Sequence, residues 1–353
     1  MVTAGTLNAA TCGISVLFKL LSIDLSSLTD RYKNEQHGAS ADLSNSLAIS
    51  AGGKGANQAV ACGRASFVSK DNQDASVYMI GAVGACDPYY SALLRPTLEG
   101  SGVSTTGIQE KTDSQTGSAT IIVDEGAGGE NRILFVPGAN YSGMDNVDAV
   151  LATTRNIHLE QGVVVMQGEI PRSTTLELMK HFNDPSCPSH LVFNPAPVFT
   201  EGIPLAALAG TSVLAMNETE AVLMTQAVKE HLTPAQQEQD LKPEELAPLF
   251  HKHAQVQIVL ITLGAKGAFY STATGKQGFA PSAAVEKVVD TTAAGDTFVG
   301  YFATAFAKFV ATGAPLAEFD AQIETAVRKA NVAAAGCVQR KGAMQSIPFA
   351  YEI

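Results

Sequence analysis

Residues 288–302 read VVDTTAAGDTFVGYF. Val288 and Val289 close a strand-like run that ends at Asp290, and Phe298, Phe302, Phe306 and Phe309 then recur at helical spacing. The pattern predicts a strand, a tight turn, and a helix that starts near Gly295 and buries its aromatic face. Asp296 then falls in the first helical turn, where unpaired N–H groups and about half a unit of positive dipole charge favour an anion. Ala293, Ala294 and Gly295 have almost no side chain, so a phosphate can approach their amides closely. That reading gives an anion hole with an acid beside it. Asp296 would take a proton from a hydroxyl while the adjacent amides hold the phosphoryl group under attack. An Asp in a first helical turn also reads as an ordinary cap or dipole partner, and this stretch by itself leaves both open.

Outward from it, short apolar runs recur at 14–21, 76–81, 162–166, 190–193, 212–216 and 257–263. Helix-like segments of small and apolar residues separate many of them. Strand alternating with helix implies a largely parallel sheet covered on both faces, with ligands at the carboxyl ends of its strands. Two stretches break the rhythm. Residues 25–51 are polar and Ser-rich, and 107–138 alternate around a Gly-rich turn at 126–129. Both read as antiparallel elements forming a small lid inserted into one α/β domain spanning 1–353. The segment 233–254 reads as a solvated helical face, and His251 and His253, two apart, as solvated rather than ligating.

The 353 residues suffice for a substantial core, and 46% hydrophobic with 16% charged residues is an ordinary globular composition. A formal charge of -11 without a Lys/Arg run argues against a phosphate-tracking nucleic-acid surface and leaves room for a small local basic pocket. Cysteines 12, 62, 86, 187 and 337 show no CxxC spacing, which fits a reducing, cytoplasmic setting and leaves nuclear entry open. The amino terminus lacks a basic n-region, and Lys19 interrupts its apolar stretch, so neither a signal peptide nor a membrane span is expected.

A second Gly-rich stretch, SAGGKGANQAVACGRAS at 50–66, lacks the GxxxxGK[ST] order of a Walker loop. Its glycines let backbone approach a polyhydroxylated ligand, to whose hydroxyls Lys54 and Asn57 can donate and accept. A flexible turn with a solvated Lys54 fits the stretch equally well. Taken together, GGKGANQA and DTTAAGDTF resemble the ribokinase-like (PfkB) carbohydrate kinases, in their ribokinase branch. MQGEIP at 166–171, NPAP at 194–197, NETE at 217–220, ITLGAKG at 261–267 and QRKGAMQSIP at 339–348 follow in that family's order, so the resemblance runs from about residue 14 to the end.

The resemblance implies a central sheet of about nine strands with flanking helices, a β lid, and transfer of the ATP γ-phosphoryl group to the 5-hydroxyl of D-ribose. It implies Asp296 as base, and Ala293, Ala294 and Gly295 as anion hole. Gly53, Lys54, Asn57 and Glu169 would contact the sugar, and Asn217 and Glu220 would lie near Mg²⁺, through water, and the phosphates. Thr262, Gly264 and Gly267 match the nucleotide loop, and Asn331 a position beside the adenine. Asp290, Thr292, Arg340, Gly342 and Ser346 resemble a K⁺ site built largely from backbone carbonyls. Related kinases pair through the lid, so a homodimer is a further expectation. Asn217 and Glu220 also read as a helix capping pair.

The family's first sugar-binding motif is altered. KLLSID at 19–24 places Asp24 in its acidic position, with Lys19, Leu20 and Ser22 where the family has Gly, Ser and Asn. That departure keeps deoxyribose, fructose or a nucleoside as alternative acceptors, and a catalytically silent binding protein as a third reading. Residues 1–13 have no counterpart and read as a disordered extension.

Overall fold

A computed structural model of the chain describes residues 13–17, 21–26, 28–33, 40–44, 48–124, 130–157, 162–237 and 241–353. In chain order the strands are β1 Gly13–Leu17, β2 Leu21–Ser26, β3 Leu28–Lys33, β4 Ser40–Ser44, β5 Ala48–Ala51, β6 Phe67–Ser69, β7 Asn72–Gln73, β8 Ser76–Gly84 and β9 Val103–Lys111. There follow β10 Ser118–Asp124, β11 Glu130–Val136, β12 Gly162–Met166, β13 His190–Phe193, β14 Val213–Asn217, β15 Ile258–Thr262, β16 Gly267–Thr272 and β17 Gln277–Pro281.

Nine strands form one sheet in the order β17-β16-β15-β14-β13-β12-β1-β8-β9. From β15 to β9 neighbours run parallel, and β16 and β17 close the edge antiparallel. The parallel strands read as continuous apolar runs because both faces are covered. In β12, Val163 and Val165 enter one core, shared with helices Lys54–Ala65, Ala294–Val310 and Ile323–Val338, whereas Val164 and Met166 enter a second. The strands β13, β14 and β15 divide their side chains between the same two cores. The phenylalanines of the opening stretch are buried, and Phe302, Phe306 and Phe309 pack on Phe319.

A separate four-stranded sheet has the order β11-β10-β2-β5, and β3 pairs with β4. Of the stretch 107–138, the first residues belong to β9 on the main sheet, and only β10 and β11 join the small one. The Gly-rich turn at 126–129 and residues 1–12 lie outside the described residues.

Three readings of the sequence are corrected. Val288 and Val289 are exposed and belong to no strand. The amides of Val289 and Asp290 instead donate to Val338 O, at the end of the Ile323–Val338 helix. The 233–254 segment is not a wholly solvated face, because helix Pro243–Ala254 buries Leu246, Ala247, Phe250 and Ala254. His251 bonds Val256 O through Nδ1 and Ser271 Oγ through Nε2, while His253 stacks on His231 at 3.8 Å. No helix among the described residues is long and apolar enough to cross a membrane.

Candidate active site

The parallel strands deliver the site at their carboxyl ends, where an α/β sheet places its ligands. Gln167 and Glu169 follow β12, Asn194 follows β13, Asn217 ends β14 and Thr262 ends β15. The amino ends of helices Lys54–Ala65 and Ala294–Val310 complete it.

These two helices touch through a glycine. A Cβ on Gly300 would collide with Ala61 Cβ and stand 2.9 Å from the Gln58 carbonyl. Its absence lets the Lys54–Ala65 helix lie close enough for two of its amide side chains to reach the neighbouring carboxylate. Asn57 Nδ2 donates to Asp296 Oδ2 at 2.8 Å, and Gln58 Nε2 donates to Asp296 Oδ1 at 2.9 Å. Asp296 therefore does not cap its own helix. The N-cap is Ala293, held at φ 61° with no side-chain cap bond. Left-handed backbone costs a non-Gly residue roughly 1–2 kcal/mol. The turn makes Ala294 and Gly295 the first helical residues, as the small-residue run predicts. Ala294 N donates to Thr291 O at 3.3 Å, so the first-turn amides of Gly295 and Asp296 are the ones an anion would find open.

Lys54 opens the facing helix, and its backbone N–H donates to Glu169 Oε2 at 2.8 Å. Burial draws the Lys54 ammonium down, but Asp296, Glu169 and Glu220 outweigh it and hold it above the ordinary lysine value. Glu220 and Asn217 form a reciprocal capping box: Glu220 N donates to Asn217 Oδ1 at 2.8 Å and Asn217 N to Glu220 Oε2 at 2.9 Å. The capping reading of this pair is thus correct as far as its hydrogen bonds go. Asn217 Oδ1 is spent on the helix, and Glu220 Oε1 takes no hydrogen bond among the described residues. Burial pushes the Glu220 carboxyl up, against the Asn217 amide and Lys54, and with Asp296 adding to the rise.

Two cavities meet here. One of about 190 Å³ is lined by Lys54, Asn194, Asn217, Glu220 and Asp296. The other, about 490 Å³ and largely apolar, is lined by Gly264, Gly267, Val288, Phe298 and Asn331. They share Thr262, Thr291 and Gly295. Asn331 donates through Nδ2 to Ala280 O and Pro281 O, both at 3.0 Å. Gly267 lies at φ 118°, and a Cβ there would strike the Ala280 carbonyl. A larger cavity of about 750 Å³, lined by Val198, Phe199, Leu223 and Leu241 among others, contains none of these site residues.

Behind the anion-hole turn, Asp290 Oδ1 accepts from Thr292 N and Oδ2 from Gly342 N, both at 2.9 Å. Burial pushes the Asp290 carboxyl up, but these bonds and Lys341 prevail and hold it below the usual carboxylate value. Ser346 is fully buried, donates to Ala343 O, and meets Cys337 Sγ at 3.0 Å. The Arg340 side chain points elsewhere, into an ion pair with Glu352 at 2.9 Å. Asp24 lies in β2 opposite Ala48, and its side chain lies outside the described residues.

Residues 16–350 match the model of the pfkB family carbohydrate kinases. The chain belongs to that family. Ribokinase of Schizosaccharomyces pombe is 37% identical over 311 residues, 86% of this chain and 85% of that protein. Ribokinase of Thermotoga maritima superposes with TM-score 0.73 and 29% identity, covering 97% of both chains. Arabidopsis thaliana ribokinase, solved with ribose and ATP, superposes with TM-score 0.71 and 25% identity over 97% of both. This pfkB-family kinase also holds beside the acid three amides that the sequence did not single out. Gln58 bonds Asp296, and Gln167 and Asn194 bond Gln58; their only signal was a polar amide inside or beside each quoted motif.

Proposed function

We propose that this kinase transfers the γ-phosphoryl group of ATP to the 5-hydroxyl of D-ribose, with Asp296 as general base. The carrying observation is the acid's orientation: it stands in the first turn of Ala294–Val310, yet its carboxylate is held by Asn57 and Gln58 of another helix. A capping Asp would turn back onto its own amides. The carboxylate therefore stands between a polar cluster suited to hydroxyls and a cavity suited to a nucleobase. Asn57 Oδ1 is buried without a hydrogen-bond partner, and a sugar hydroxyl would satisfy it. Lys54 would donate to the sugar, Glu169 would accept from it, and Asp24 would contribute from the small sheet. The nucleotide would lie along Thr262, Gly264 and Gly267 with its base beside Asn331. As the hydroxyl attacks, Asp296 takes its proton and the open first-turn amides of Gly295 and Asp296 steady the phosphoryl oxygens, in place of the Ala293–Gly295 set read from the sequence, because Ala294 N is already bonded to Thr291 O.

Asp296, Glu169 and Glu220 surround the single Lys54 charge, so an incoming triphosphate would meet net negative charge. That donor chemistry fits Mg²⁺, held through water by Glu220 and beside Asn217, since hard oxygen ligands suit it. Bound there, the ion would neutralise phosphate charge. K⁺ would be held by Asp290, Ser346 and the carbonyls of Thr292, Arg340 and Gly342, where the Asp290 bonds to Thr292 and Gly342 already join both segments. The small sheet would act as a lid that excludes water. Its edge strand β11 exposes Leu134 and Val136, a surface on which a second copy could pair.

The test is product formation from ATP and Mg²⁺, with and without K⁺, using ribose, deoxyribose, fructose and a nucleoside at equal concentration. Mass spectrometry should show ribose 5-phosphate as the fastest product, with more of it when K⁺ is present. A faster alternative acceptor would reassign the substrate. Turnover of none, with ATP still bound, would leave only a binding protein.

A further inference from the structure

Asp296 is gripped at both oxygens, and the two grips differ. Asn57, on Oδ2, has an orphaned acceptor of its own that a sugar hydroxyl can satisfy. Gln58, on Oδ1, is fully buried and its amide is spent within the protein. Its Nε2 uses both hydrogens, one on Asp296 Oδ1 and one on Asn194 Oδ1, each at 2.9 Å. Its Oε1 accepts from Gln167 Nε2 at 2.6 Å. The chain of donors has one direction. Asp296 Oδ1 can only accept, so the Gln58 NH₂ must face the carboxylate and its oxygen is left for Gln167; a reversed amide would set oxygen against oxygen. Asn194 continues the chain, donating to Ala215 O at 2.9 Å and Glu220 Oε2 at 3.3 Å. The defined donors run from Gln167 to Asp296 and Asn194, while Gln167 Oε1 is itself buried without a partner among the described residues.

We propose that Gln58 is a positioning residue for the phosphoryl transfer, fixing the plane of the Asp296 carboxylate, with Gln167 bracing the Gln58 oxygen from the other side. The inference rests on the reading of Asp296 as the base. With Oδ1 anchored to Gln58 and Oδ2 to Asn57, the carboxylate cannot rotate about its last bond, so its remaining lone pairs keep one aim before substrate arrives. Orientation of this sort acts on the chemical step, because misaligning a proton acceptor by a fraction of an ångström costs rate and leaves binding contacts in place.

The test is a set of steady-state measurements on the full chain with ATP and the best acceptor. Gln58→Met, which keeps the length and removes all three of its side-chain hydrogen bonds, is expected to lower kcat by about 10- to 100-fold, with both KM values within about threefold of the parent. Made in an Asp296→Asn background, the same change should alter the residual kcat by less than about twofold, since the group being aimed is gone. Gln167→Met should lower kcat by a smaller factor and add nothing to Gln58→Met. An equal loss from Gln58→Met in both backgrounds, or a raised KM at unchanged kcat, would overturn the proposal. Should Gln58→Met fail to fold, Gln167→Met in the two backgrounds makes the same comparison. Full kcat in Asp296→Asn alone would remove the base reading and this inference with it. A slow Asp296→Asn beside an undisturbed Gln58→Met would remove only the inference.

Discussion

Glu220 and Asp296 occupy the same place in their helices, the third residue of Glu218–Met224 and of Ala294–Val310, and do opposite things there. Glu220 folds back to Asn217 N and closes a capping box. Asp296 turns away from its helix to Asn57 and Gln58, 239 and 238 residues distant in the chain. The residue before each helix explains the divergence. Asn217 offers an oxygen to the helix and an amide to Glu220, so the pair closes on itself. Ala293 has no side chain to cap with, and no side-chain acceptor among the described residues meets the first-turn amides of Gly295 and Asp296. An acid in a first turn is freed from its own helix when local partners are withheld and distant ones supplied.

The contrast breaks most directly at Asp296. Asp296→Asn should cut kcat by about 10²- to 10⁴-fold with the ATP KM nearly unchanged, measured by steady-state kinetics. A lost melting temperature with retained kcat would make it a second Glu220. Glu169→Gln, which weakens a carboxylate bound to Lys54 N, should raise the sugar KM by about 10-fold or more; an unaltered KM would remove it from the sugar cluster. Asn217→Ala deletes the cap and should cost about 1 kcal/mol in urea denaturation. A kcat loss comparable to that of Asp296→Asn would erase the distinction between the two acids. Arg340→Ala breaks only an exposed ion pair with Glu352 and should shift stability by less than about 1 kcal/mol. It should leave any K⁺ activation as it was, because only the Arg340 backbone carbonyl is assigned to that site.

Much of the scaffold was legible because local pattern and tertiary role coincide. The runs at 162–166 and 190–193 become β12 and β13 without change of bounds, since strands buried on both faces are apolar throughout. The start of the Ala294–Val310 helix followed from its small residues and aromatic spacing. Val288 and Val289 misled because two apolar residues before an acid look like a strand end. Val288 instead lines the larger of the two joined cavities, so its apolar side chain borders a cavity rather than a neighbouring strand. His251 misled because an i, i+2 spacing says nothing of Ser271, which lies on another element. Gln58, Gln167 and Asn194 were visible as letters within quoted motifs, but nothing local indicates that they converge. The reach of Gln58 to Asp296 depends on the missing Cβ of Gly300, a contact between segments far apart in the chain.

The partners of this site are made at very different times. The Lys54–Ala65 helix leaves the ribosome long before Asp296, which follows Asn57 by 239 residues. At bacterial to eukaryotic synthesis rates that interval is roughly 10 to 50 seconds. The closing pieces come later still: Asp290 waits for Gly342, Tyr301 for Pro348, and Arg64 for the Ile347 carbonyl. Throughout that interval the nascent chain carries buried-type amides and an uncovered apolar helix face with no mates. A protein assembled in this order depends on residues 342–348 to finish what the Lys54–Ala65 helix began.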